Sequence, residues 1–236
     1  MNLLTICSGG GTTANAIMEA FDTGVLQGIK PCLMIVDRPG IGAIEKAEAH
    51  GIPWEMVNWR NKTEDELGEI ILDLCQEYGI DLIGLYGCLF KIPASVIKAF
   101  RKRMINQHPG PLDPGRPDFG GKGMFGLRVH CAVLEYARLI RRDFATEAVA
   151  QRVDKQYDRG AVLDRIYVEV LPNDTPEILA RRVLPEEHRL QTRVLQSFAD
   201  GTVQEISRDT PIVLSGREAE FLDWAKRVGI ARYPKG

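Results

Sequence analysis

Through the first 108 residues, short apolar runs alternate with stretches whose apolar residues recur at helical spacing, and this alternation constrains the fold more than any other feature. Residues 2–7 read as a strand. The glycine loop Ser8-Gly9-Gly10-Gly11-Thr12-Thr13 follows, then a helix with Ala14, Ile17, Met18 and Phe21 on one face. The pattern repeats at 30–36 and 41–50, and a short strand is expected over 51–57. A helix over 63–78 opens on the capping-box pattern Thr63-Glu-Asp-Glu66. Residues 81–86 form a nearly continuous apolar run, as a strand covered on both faces should. A short helix over 94–100 and a strand over 103–107 complete the series. Strands alternating with helices imply an open, mostly parallel sheet with right-handed crossovers and flanking helices.

On such a sheet, ligands gather at the carboxyl ends of the strands. That rule brings together the Gly9–Gly11 loop, the Gly87–Pro93 loop and the strand end Asn106-Gln107-His108. Asn106 and His108, separated by one residue, project on the same side. A carboxamide beside an imidazole suits a reaction that places charge on a carbonyl oxygen, since both can donate to it. The plainer reading is turn chemistry, Asn ahead of Pro-Gly, with His as polar surface. The glycine loop invites an anion onto a helix N-terminus, with Thr12 and Thr13 as cap and hydroxyl donors, or else uses glycine for steric reasons alone. It is neither GxxxxGK[ST] nor a complete GxGxxG.

Beyond residue 108 the elements are less regular. The glycine- and proline-rich 112–124 reads as an active-site cover or a surface loop, and 127–140 as a helix whose Arg138, with Arg141 and Arg142 beyond it, makes a solvated face. A strand over 146–153, a turn through Asp158-Arg159-Gly160 and a strand over 161–170 come next. Asp158 is a turn former or, if it lies over His108, a carboxylate that keeps the imidazole protonated. The Asn173–Pro176 segment caps a long helix toward Phe198, and a strand at 203–206 and a helix near 218–228 close the chain.

A net charge of -2 gives no global argument for nucleic acid or an acidic membrane, though local patches could bind anions. The five scattered cysteines lack a CxxC pair, which argues against a disulfide framework and a zinc site. No apolar run reaches the ~18 residues of a membrane span, and no cationic leader is evident. The expectation is a cytoplasmic protein without metal, nucleic-acid partner or membrane, monomeric or homodimeric.

Asn106-x-His108 with Asp158-Arg-Gly, in order with the Ser8–Thr13 loop, the Gly87–Pro93 loop, Glu187-His188 and Phe198-Ala-Asp-Gly201, resembles the folate-dependent formyltransferase family along residues 1–201. The resemblance implies a Rossmann-like formyltransferase fold. Its halves would be 1–100, for phosphate and substrate, and 101–201, for catalysis and folate, with 202–236 as a C-terminal extension. It further implies transfer of a formyl group from the co-substrate 10-formyltetrahydrofolate to the primary amine of glycinamide ribonucleotide, a step of de novo purine biosynthesis and one-carbon metabolism. Asn106 and His108 would stabilise the oxyanion, and Asp158 would hold His108 protonated and assist proton transfer. Gly10, Gly11, Thr12 and Thr13 would cradle the phosphate of a small phosphorylated amine, and Glu187 would contact the amine. Leu89, Phe90, Lys91 and Ile92 would line the pterin pocket. No metal is implied.

The chain departs from the family pattern in Gly110-Pro111-Leu112-Asp113-Pro114 after the histidine, in Thr13 for an asparagine, at Phe90-Lys91, and in Gln151 for a second histidine. The segment between His108 and Asp158 is longer than usual. Alternatives are an amine of a sugar nucleotide, formyltetrahydrofolate hydrolysis, or ligand binding without catalysis. The hydrolase normally carries an N-terminal domain, and methionyl-tRNA formyltransferase a C-terminal barrel for which the 35 residues after Gly201 are too few.

Overall fold

The computed structural model describes residues 1–235. Seven strands form one sheet in the order β3-β2-β1-β4-β5-β6-β7. They are β1 (Asn2–Cys7), β2 (Lys30–Val36), β3 (Trp54–Met56), β4 (Leu82–Leu85), β5 (Met104–His108), β6 (Ala145–Arg152) and β7 (Val162–Glu169). The pairs β1–β2, β1–β4, β2–β3 and β4–β5 are parallel, and β6–β7 is antiparallel. The open, mostly parallel sheet inferred from the alternation is therefore the observed one. The helices are α1 (Thr12–Asp22), α2 (Gly42–Ala49), α3 (Glu64–Glu77), α4 (Ala94–Ala99), α5 (Leu127–Ile140), α6 (Pro176–Ala199) and α7 (Gly216–Arg232).

The chain packs as two compact units, 1–107 with 191–203, and 108–190 with 204–236. The halves expected from the sequence, 1–100 and 101–201, are a division by role and are taken up below as a proposal. In the first unit β1 and β4 are almost wholly buried, which is why their sequences run apolar without alternation. The capping box forms as expected: Thr63 Oγ1 accepts from Glu66 N, and the Glu66 carboxylate accepts from Thr63 N.

The second unit is built around α5 and α7, and four expectations about its loops and the glycine loop are corrected. The 112–124 segment is no plain surface loop: Leu112 and Phe119 are fully buried, and Asp113 and Asp118 nearly so, because Phe119 packs edge-on against Tyr136. The strand expected at 203–206 is reduced to a single bridge between Ile206 and Val162. Arg138 and Arg142 do not form a purely solvated face, for Arg138 pairs with Glu135, and Arg142 with Glu218 of α7 at 3.1 Å. In the first unit, neither Thr12 nor Thr13 caps α1: the N-cap is Gly11, left-handed at φ 66°, with no side-chain cap.

Candidate functional site

In the first unit the parallel order puts the ends of β1, β4 and β5 side by side. Ser8 N donates to Gly87 O at 3.2 Å, Leu89 N donates to Ser8 Oγ at 3.2 Å, and Asn106 pairs in register with Leu85. The glycine loop, the Gly87–Pro93 loop and Asn106 are thus gathered at one edge, as the strand-end rule requires. Gly10 and Thr12 are exposed there, while Gly11 and Thr13 are buried. The steric explanation of Gly11 is correct: a Cβ would lie 2.7 Å from Ala43 at the start of α2, and the positive φ disfavours any other residue. That does not exclude an anion, since an uncapped helix start still presents N–H groups. Arg38, not singled out in the sequence, donates to Ser8 O at 2.6 Å and adds a cation to this loop.

The Gly87–Pro93 loop divides in two. Leu89 is an exposed apolar side chain and Lys91 is exposed, whereas Ile92 is buried and Phe90 stacks on Trp59. Neither Cys7 nor Cys75 is a nucleophile at neutral pH, because burial pushes each thiol up to about 12.

In the second unit, His108 is buried with its Nδ1 3.7 Å from Asp158 Oδ1. Its Nε2 is also buried and has no hydrogen-bond partner among the described residues. An imidazole so placed has one nitrogen toward a carboxylate and the other unspent. Asp158 sits in the turn between β6 and β7 at φ 56°, a left-handed conformation that aspartate tolerates better than most residues. The turn is tight: a Cβ on Gly160 would lie 1.8 Å from Arg152 O, so only glycine fits.

Several groups fix the Asp158 carboxylate. Gly121 N donates to Oδ2 at 2.8 Å and Gln151 Nε2 to Oδ1 at 2.7 Å. The register of β6 against β7 shifts between Ala150 and Gln151, and such an irregularity re-aims the side chain that follows it. Asp118, its side chain fully buried, accepts from Asp113 N at 2.9 Å, Gly120 N at 3.0 Å and Arg159 Nη1 at 2.9 Å, tying the loop to the Asp158 turn. His130 of α5 lies near enough for the charge on His108 to affect it; burial first, then that charge, lowers its pKa to about 4, so it is neutral at pH 7.

The structure thus brings His108 and Asp158 together and sets Asn106 two residues earlier on the same strand. Glu187 is buried on α6. The roles of Gln151, Asp118 and the Gly121 N–H toward Asp158 were not anticipated. Asp118 ahead of two glycines was the one sequence signal available, since buried aspartates ahead of glycine often accept from backbone N–H groups. Among the described residues, no group of three or more His, Cys, Asp or Glu side chains is arranged to hold a metal. No described helix is long and apolar enough to cross a membrane.

The arrangement is that of an α/β protein with a buried histidine at the end of a sheet strand and an aspartate beside it. The chain belongs to the formyl transferase family, whose model matches residues 1–195. It is 34% identical over 214 residues to a chloroplastic phosphoribosylglycinamide formyltransferase from Arabidopsis thaliana, covering 89% of this chain and 70% of that protein. The corresponding protein of Vigna unguiculata is 32% identical, with coverage of 93% and 68%. Among solved structures, glycinamide ribonucleotide transformylase 1 from Symbiobacterium toebii superposes with a TM-score of 0.74 at 25% identity, over 88% of this chain and 94% of that one.

Proposed function

We propose that this protein transfers a formyl group from 10-formyltetrahydrofolate to the primary amine of glycinamide ribonucleotide. The observation that carries the reading is the buried His108, its Nδ1 toward a fixed carboxylate and its Nε2 unpartnered, in a chain of this family. The amine nitrogen attacks the formyl carbon, and the C–N bond to the folate nitrogen breaks. The carbonyl oxygen acquires negative charge on the way, and donors aimed at that charge accelerate the step. Asn106 supplies its carboxamide N–H. His108 supplies Nε2–H, with its Nδ1 facing the Asp158 carboxylate. The amine loses one proton and the departing folate nitrogen gains one, so the exchange balances; Asp158 assists it through water.

The 1–100 half takes the phosphate, on the N–H groups of Gly10, Gly11, Thr12 and Thr13 at the start of α1. The 101–201 half performs the chemistry, with Glu187 contacting the amine. Leu89, Phe90, Lys91 and Ile92 line the pterin site, for which the exposed Leu89 offers an apolar wall. The enzyme works in the cytoplasm or an equivalent reducing compartment, in purine biosynthesis.

The test is tetrahydrofolate release from purified protein supplied with 10-formyltetrahydrofolate and glycinamide ribonucleotide. Turnover that requires the amine is expected. Release at the same rate without any amine would show a hydrolase instead, and turnover only with a sugar-nucleotide amine would reassign the acceptor.

A further inference from the structure

The loop that meets Asp158 is gripped from a second direction by the C-terminal helix. Lys226 of α7 donates from Nζ to Asp118 O at 3.1 Å and to Gly120 O at 2.6 Å. The carbonyl of Gly120 and the N–H of Gly121 belong to one peptide group. Lys226 holds its oxygen, and its N–H holds Asp158 Oδ2 at 2.8 Å. A cation on the oxygen both fixes the plane of that peptide and polarises it, which makes the N–H at the other end a stronger donor.

We propose that Lys226 is a positioning residue for Asp158, acting through the Gly120–Gly121 peptide group. This rests on the reading of Asp158 given above.

The loop is close enough to Asp158 for such coupling. A Cβ on Gly120 would lie 2.5 Å from Asp158 Cβ, so the Gly120 backbone packs directly against the Asp158 side chain and a small displacement of one moves the other. The alternative, that Lys226 merely docks α7, is poorly supported because the helix is secured elsewhere. Arg128 donates to Tyr233 O and Pro234 O at 2.7 and 2.6 Å, and Tyr136 Oη donates to Glu218 at 3.0 Å. At Gly229 the helix approaches α5 so closely that a Cβ would meet Arg128 O at 2.4 Å. A part-buried ammonium costs desolvation, and that burial lowers its pKa against the opposing pull of Asp118. Docking a helix already secured does not require it.

The experiment compares full-length Lys226→Met, in the wild-type and Asp158→Asn backgrounds, with Arg227→Ala as an exposed control on the same helix. Formyl transfer to glycinamide ribonucleotide is followed per folded molecule. The expected result is a loss of about tenfold in kcat for Lys226→Met with both KM values within about twofold, and no further loss when it is added to Asp158→Asn. Lys226→Gln, which keeps an uncharged donor group, should retain about a third of the activity, and it serves by the same criterion if the methionine variant does not fold. Unchanged kcat per folded molecule, or an undiminished loss in the Asp158→Asn background, would overturn the inference. Wild-type protein that never formylates the amine would overturn the functional reading as well, and is distinguishable because it needs no variant to observe.

Discussion

The loops that follow β1 and β5 both leave a parallel strand at its carboxyl end, yet they are held by opposite means. The glycine loop is held by backbone and by the absence of side chains: Gly11 makes room for Ala43, and Ala43 N donates to Gly9 O at 3.2 Å. The loop after β5 is held by side chains that come from far along the sequence, through Asp118, Arg159 and Lys226. A surface that must admit an anion keeps its N–H groups bare. A surface that must hold one carboxylate beside one imidazole needs a dense set of partners, because buried charge is tolerated only when it is paired.

Variants at the groups beside which the second loop packs should have the largest effect. Asn106→Ala, His108→Ala and Asp158→Asn are each expected to lower kcat about 100-fold or more while leaving circular dichroism and melting temperature close to wild type. Near-wild-type kcat in all three would remove the site assignment.

At the glycine loop, Gly11→Ala should lower unfolding free energy by about 2–4 kcal/mol, combining a left-handed conformation with overpacking against Ala43. Gly10→Ala, where a Cβ would meet only Thr12 Cγ2 at 3.9 Å, should stay within about 1 kcal/mol of wild type. If the loop takes the phosphate, Gly10→Ala should nevertheless raise KM for the amine substrate severalfold with kcat little changed. Equal stability losses at both positions, read by urea titration, would contradict the steric account.

The last effect, confined to acid pH, concerns His130, whose pKa is lowered from 6.5 to about 4 in the folded protein. The unfolded chain binds more protons between those values, so stability is retained above pH 6.5 and lost as pH falls toward 4, by on the order of 3 kcal/mol. His130→Gln should flatten the melting temperature over that interval relative to wild type. An unaltered slope would place the loss in other groups.

Within the first 108 residues the sequence determined nearly everything that the fold required. A strand buried on both faces must be apolar throughout, and a helix start announces itself by its cap, so β4 and the Thr63 capping box could be read from a few consecutive residues. Asn106 and His108 were legible as a pair because a strand has a period of two. Local pattern misled where it was ambiguous: threonines after glycine suggested caps, but the tight approach of α2 gave the cap position to Gly11. Glycine and proline in 112–124 suggested exposure, but Phe119 found a partner in Tyr136 and drew the loop inward.

What only the tertiary structure decided was the company Asp158 keeps. Gln151, Gly121, Asp118 and Lys226 are separated in sequence by up to 108 residues, and no local periodicity links them. They converge because packing brings distant segments around one part-buried carboxylate, which takes its donors wherever the chain supplies them.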